Sequence, residues 1–195
     1  MQVKSNKARS NEMRAKLITT ARDLFTSRGY SDTSTPEIVK KAGVTRGALY
    51  HHFPDKKALF RAVIKAEAEK VANQIESHSQ IEGSARDAIS RGSKAYFEAI
   101  SGSGSAALLL LEGPAVLGLS EMAEIDSLTS GQELKQGLEH AVSQGELAND
   151  MPIQEMSDIL SAAFDRAALS SISNPAKKDV YEAAISKLIG ALFQS

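Results

Sequence analysis

Residues 34–53 read STPEIVKKAGVTRGALYHHF, and they spell two short helices joined by a tight turn. Ser34 with Glu37 three residues on has the spacing of a capping box, and Pro36 suits a first helical turn. These signals predict a helix over Thr35–Ala42. Gly43 can take the left-handed conformation that ends it, and Thr45 then caps a second helix, Arg46–His52. Upstream, Leu17, Ile18, Ala21, Leu24 and Phe25 make one stripe of a helix running from Asn11 to about Arg28, stopped by Gly29. Downstream, Pro54 breaks the chain and Asp55 restarts it. The fourth helix, to about His78, turns Leu59, Ala62, Val63, Ala66 and Ile75 inward. At 1.5 Å per residue its ~24 residues span about 36 Å, enough to join two ends of the molecule. A supporting helix followed by two short ones about a glycine turn is a helix-turn-helix candidate.

The remainder is also helical, with three- and four-residue apolar spacing and no period-2 runs. A fifth helix containing Tyr96 and Phe97 lies between Gly83 and Gly102-Ser103-Gly104, and a leucine-rich sixth segment ends at Gly113-Pro114. Leu134, Leu138, Ala141 and Val142 share a face of a helix from Gln132 to Ser143. Two long helices follow: Ile153–Ser173, then Pro175–Phe193, capped by Asn174. The expectation is an all-α chain of about nine helices. Its three-helix helix-turn-helix head spans residues 1–54, of which 1–10 form a basic flexible arm, and a helical domain spans 55–195.

Charge divides the chain the same way. Residues 1–70 carry 15 Lys+Arg against 7 Asp+Glu, while the rest carries 8 against 17, so a net charge of −1 conceals one basic end. That asymmetry offers the first third to a polyanion, nucleic acid or anionic membrane. The 195 residues, 42% hydrophobic and 24% charged, are ordinary globular composition. With no cysteine, disulfides, thiolate metal sites and a cysteine nucleophile are excluded. The longest apolar run, Ala106–Leu111, falls far short of the roughly 18 residues of a membrane span. The basic start leads into no apolar segment, so no secretory signal is expected and the cytoplasm is the default.

Enzyme signatures are missing. The chain has no G-x-S-x-G elbow, no phosphate-binding loop ending in Lys-Ser/Thr and no H-E-x-x-H pair. His51, His52, His78 and His140 lack metal-ligand spacing, and residues 102–105, GSGS, read as an interhelical loop with no strand before it. No catalytic residue, metal or cofactor is expected.

On the second short helix, Leu49 and Phe53 fall on one face. Arg46, Gly47, Tyr50 and His51 fall on the other. A face mixing a guanidinium, a phenol, an imidazole and a close-approaching glycine can meet base edges and phosphates in a major groove, where an α-helix fits. It can equally be a solvated face. Lys56 and Lys57, beside the free N–H groups of the next helix, suit phosphate, as do Thr33, Ser34 and Thr35. His52 reads as packed against the head's edge.

The string TARDLFTSRGYSDTSTPEIVKKAGVTRGALYHHFPDKKALFRAV resembles the DNA-binding head of the TetR family of bacterial transcriptional regulators. The matching elements are A-x-x-L-F-x-x-x-G-Y, then I-x-x-x-A-G-V-T-x-G-x-L-Y-x-H-F, then D-K-x-x-L, over about Leu17–Val63. Pro36 is a mild departure. The resemblance implies a homodimer whose heads bind double-stranded operator DNA and whose helical C-terminal domains bind a small-molecule effector and dimerise through their last two long helices. It places Thr33, Thr45, Arg46, Gly47, Tyr50, His51 and Lys56 at the DNA. Tyr50 and Lys56 go to phosphate, and Arg46 with Gly47 to the groove.

The effector itself is not legible. Tyr96, Phe97, Leu111, Glu112 and Met122 sit where pockets form between helices, though each also suits ordinary packing. The last helix has an apolar arc wider than one-sided packing needs: Val180, Ala184 and Ala191 on one line, Tyr181, Ile185, Leu188 and Leu192 on the next. Phe164, Ala167, Tyr181, Ile185, Leu188 and Leu192 are therefore the expected dimer contacts. Asp165 and Arg166 interrupt the preceding helix and read as a partly exposed salt bridge before an intersubunit pair or a polar spot in a pocket. The function expected is a regulator, a repressor released from its operator by a ligand. A ligand-independent DNA-binding protein, or a helical ligand-binding domain with a vestigial head, stands as the alternative.

Overall fold

A computed structural model describes residues 6–79, 83–102 and 104–193, and the elements are helical throughout those residues. In chain order they are α1 (Asn6–Arg28), α2 (Thr35–Ala42), α3 (Arg46–His52), α4 (Lys56–Ser79), α5 (Ala85–Ser101), a π-helical segment (Ala107–Glu112), α6 (Gly113–Leu117), α7 (Leu119–Ser127), α8 (Ser130–Ser143), α9 (Ile153–Ser173), a 3₁₀ turn (Pro175–Lys177) and α10 (Lys178–Leu192).

The local signals at 34–53 act as read. The Ser34 hydroxyl accepts the Glu37 N–H while the Glu37 carboxylate accepts the Ser34 N–H, and Gly43 closes α2 at φ 62°. That positive φ is costly for any residue with a Cβ, so glycine is the residue the turn requires. The Thr45 hydroxyl accepts the Ala48 N–H at 3.1 Å. Arg28, at the end of α1, pairs with Glu37 at 2.7 Å, tying the supporting helix to the start of α2.

Elsewhere the structure departs from the sequence reading. Asn6–Ser10 are helical rather than arm, and residues 1–5 lie outside the described residues. Gly113-Pro114 does not stop the leucine-rich segment: Pro114 sits in the first turn of α6, which follows the π-helical segment directly, and the turn comes at Gly118. α7 carries no cap signal, and the sequence reading passes over it. Asn174 makes no side-chain cap, and the last helix begins at Lys178 after the 3₁₀ turn.

The core runs unbroken through α4, which buries Leu59, Phe60, Val63, Ile64, Ala68, Val71 and Ile75. Phe60 stacks edge-on against Phe25 and Tyr30, with centroids 5.1 and 4.9 Å apart, fixing the head to the start of α4. Midway along α4 the buried Glu67 carboxylate takes a bidentate pair from Arg22 of α1 and a hydrogen bond from Ser105 at 2.5 Å. Burial pushes the Glu67 carboxyl up, but hydrogen bonds from Arg22 and Ser105 outweigh it and hold the group below its usual value. Head and body are thus joined by a satisfied buried charge as well as by apolar packing.

The wide arc on α10 resolves into two uses. Ile185 is buried and Tyr181 and Leu192 pack against the core, while Val180 and Leu188 stand exposed with Ala184 and Ala191 on the same outer face. On α9 Phe164 and Ala167 are buried, and Ile159 and Ile172 are the exposed apolar residues. Of the expected dimer contacts, Phe164, Ala167 and Ile185 therefore belong to the protomer's own core. The exposed large apolar residues of the two helices are Ile159, Ile172, Val180 and Leu188.

Candidate DNA-binding face and effector cavity

α3 is pinned by Leu49 and Phe53, both buried, which leaves Arg46, Gly47, Tyr50 and His51 exposed on its outer side. The Arg46 guanidinium stands 5.4 Å from the Tyr50 ring centroid, so the two side chains form one amphipathic plate. The Thr35 hydroxyl, then Arg46, bond the Tyr50 phenol and lower its pKa below the usual value. Burial, with His51 and Arg14 nearby, lowers the His52 pKa below its usual value, and its ring lies against those of His51 and Phe53. Thr45 is exposed, but its hydroxyl already caps α3.

Two expected DNA contacts are placed otherwise. Thr33 is 1% exposed, and its hydroxyl donates to the carbonyls of Gly29 at 2.8 Å and Leu24 at 3.3 Å, so it braces the turn after α1. Lys56 Nζ donates to the carbonyls of Tyr30 at 2.8 Å and Thr33 at 3.0 Å and lies 4.1 Å over the Tyr30 ring. An ammonium has three donors, so at most one is left for phosphate. Lys57, beside it, is exposed.

Tyr30 is also where the body meets the head. Its backbone N–H donates to Glu112 at 3.1 Å. Glu112 Oε1 would sit 3.0 Å from a Cβ at Gly29, so a glycine lets the carboxylate approach. Arg61 of α4 makes a bidentate pair with Glu121 of α7. Glu112 and Glu121 flank α6, so the segment between them is bonded to the head side at both ends.

The inner side of that segment faces a cavity of about 730 Å³. Its apolar walls include Val71, Ile100, Leu109, Met122 and Leu169, and Tyr96 closes one side. A smaller space of about 270 Å³ shares Tyr96, Ser130 and Ser161 with it. Drug-sized ligands occupy roughly 300–1,000 Å³, which favours the larger space. Of the expected ligand residues, Tyr96 and Met122 line it. Phe97 is buried against Tyr96 and Phe164, Leu111 is 58% exposed, and Glu112 is spent on Tyr30.

Two carboxylates stand on the wall: Asp165, for which the sequence offers a polar spot in a pocket as the lesser reading, and Asp126, which no sequence signal marks. Asp165 accepts the Tyr96 hydroxyl at 2.5 Å, and Asp126 accepts the Ser161 hydroxyl at 2.6 Å. Asp165 is thus a polar spot in a cavity and not half of a salt bridge with Arg166. Burial raises both, carrying Asp165 to about 6.

The fold and the capped two-helix head define a helix-turn-helix regulator. Comparison with known proteins names its kind. The family described as "Bacterial regulatory proteins, tetR family" matches residues 17–63, and "Tetracyclin repressor-like, C-terminal domain" matches residues 86–194. The chain belongs to the TetR family of transcriptional regulators. It is 30% identical over 151 residues to the HTH-type transcriptional regulator SrpR of Pseudomonas putida, across 75% of this chain and 69% of that one. A TetR-family transcriptional regulator from Pectobacterium atrosepticum superposes with a TM-score of 0.79 at 25% identity, covering 98% and 99% of the two chains. FadR from Bacillus subtilis, in complex with stearoyl-CoA, shares the fold at 18% identity and a TM-score of 0.75 over 90% and 96%.

Proposed function

We propose that this regulator is a homodimeric repressor that a small molecule releases from a pseudo-palindromic operator. The observation that carries the reading is the exposed Arg46–Tyr50 plate on a helix held by Leu49 and Phe53. Arg46 and Gly47 meet base edges in the major groove, Tyr50 and Thr45 meet phosphate, and His51 serves either. Two heads in successive grooves stand about 34 Å apart. The exposed apolar side of α10, with Val180, Ala184, Leu188 and Ala191, supplies the dimer face, buried against the same side of a second copy. The protein acts by binding rather than catalysis, in the cytoplasm where the DNA lies.

Release works through the wall between Glu112 and Glu121. A ligand in the cavity shifts that wall, Tyr30 and Arg61 carry the shift, and the heads move off their spacing. In the same fold FadR of Bacillus subtilis holds a small molecule, which supports a ligand site here. The leverage equals the ligand's differential affinity for the two states, typically about 1–3 kcal/mol. The test is selection of bound fragments from genomic DNA, then footprinting with and without candidate ligands. A protected pair of inverted half-sites that a ligand exposes supports the reading. Protection without sequence preference, or unchanged by any ligand, overturns respectively the operator or the release.

A further inference from the structure

The cavity wall carries Asp126 and Asp165, with Glu124 and Asp158 on the same lining and a single guanidinium, Arg166, itself exposed. Among the described residues no cation pairs with Asp126 or Asp165. Their hydrogen bonds from Ser161 and Tyr96 come from neutral hydroxyls, which orient the carboxylates without cancelling their charge. Elsewhere the carboxylate drawn deepest into this protein, Glu67, is met by the Arg22 guanidinium, and Glu121 by that of Arg61. Asp126 and Asp165, without such a partner, fall on the wall of a largely apolar space of about 730 Å³. A partly buried anion without a partner is costly, and a bound cation removes that cost.

We propose that the cavity selects an organic cation, its apolar body against Val71, Ile100, Leu109 and Met122 and its positive charge against Asp165 and Asp126. This rests on the cavity being the effector site and names the ligand's chemical class. Acids and acyl phosphates are excluded by the same two carboxylates. The Tyr96 ring beside Asp165 adds an aromatic face suited to a cation.

The experiment uses a shape-matched pair of opposite charge, tetraphenylphosphonium and tetraphenylborate. Each is titrated by calorimetry at neutral pH into the full-length protein and into D165N, D126N and E133Q, with folding of each checked by circular dichroism. Glu133 lines only the smaller space. The expected result is one phosphonium per protomer, weakened by about tenfold or more in D165N and D126N, unchanged in E133Q, with borate not binding. Borate binding as tightly as phosphonium, phosphonium binding untouched by D165N and D126N, loss confined to E133Q, or no phosphonium binding at all overturns the proposal. Should D165N fail to fold, D126N alone carries the comparison. Operator affinity is measured separately. Phosphonium that binds as expected but leaves the DNA in place upholds the cation site and defeats release, whereas release by a neutral or anionic ligand does the reverse.

Discussion

Glu112, the last residue of the π-helical segment, accepts the backbone N–H of Tyr30, the residue whose carbonyl is held by Lys56. One peptide corner thus joins the end of α1, the start of α4 and the wall of the cavity. Glu112→Ala leaves that N–H without its partner. Amide exchange at Tyr30 should quicken by about tenfold, with about 1–2 kcal/mol lost from the protomer, read by hydrogen exchange and urea unfolding. Unchanged protection at Tyr30 would remove this corner from the route between cavity and head.

Lys56→Ala tests the placement of the ammonium. Two carbonyls lose their donor, so the thermal midpoint should fall, while the slope of log affinity against log salt changes by less than the one unit that a lost phosphate contact gives. A full unit of slope with no change in stability would return Lys56 to the DNA.

Asp165 titrates near pH 6, against 3.8 for an ordinary aspartate, because burial, outweighing the Tyr96 hydrogen bond, opposes its charge and Asp126 adds to it. The raised value means the folded state holds the proton more tightly. Its stability contribution is full below about pH 4 and is lost as pH rises through about 6. Asp165→Asn should therefore stabilise the protein at pH 7 by about 1–3 kcal/mol, with the gap closing at acid pH. Urea titrations of both proteins at several pH values read it. A gap that does not depend on pH would show that the carboxylate is not the group responsible.

Glu67 has the opposite sign: Arg22 and Ser105 hold it charged, and its contribution fades as pH falls. Glu67→Ala strands Arg22 and should cost about 3–5 kcal/mol. Chemical unfolding measures it, and a loss under about 1 kcal/mol would mean that water, not Glu67, satisfies the guanidinium.

Leu188 and Ile185 of α10 lie three residues apart, yet one faces out and the other in, so an aspartate at each gives opposite outcomes. Leu188→Asp should give a folded monomer in sedimentation, since Leu188 is 42% exposed in the protomer. Ile185→Asp should unfold it, since Ile185 is in the core. A stable Leu188→Asp dimer would place the interface elsewhere.

What the sequence revealed and what it hid divide by distance along the chain. Ser34–Glu37, Gly43 and Thr45–Ala48 interact within three residues, so spacing alone discloses them. The carbonyl partners of Thr33 and Lys56 are not legible, because a hydroxyl or an ammonium near a helix start suits phosphate and carbonyl equally. The carbonyls that claim Lys56 lie 26 and 23 residues away. The bond from Tyr30 to Glu112 spans 82 residues, and that from Ser161 to Asp126 spans 35, so no local pattern announces either. On α10 the breadth of the apolar arc was legible. Which half faces inward is decided by α5 and α9, which the spacing within α10 does not encode.

The most direct measurement is fluorescence anisotropy on a selected operator duplex and a scrambled duplex, comparing the parent with Arg46→Ala and Tyr50→Ala across salt concentrations. The expected result is a steep fall of parent affinity with salt. Arg46→Ala should lose about 1–3 kcal/mol on the operator and much of the discrimination, while Tyr50→Ala weakens both duplexes alike. Parent-like affinity and discrimination in both variants would contradict the claim that this face of α3 reads DNA.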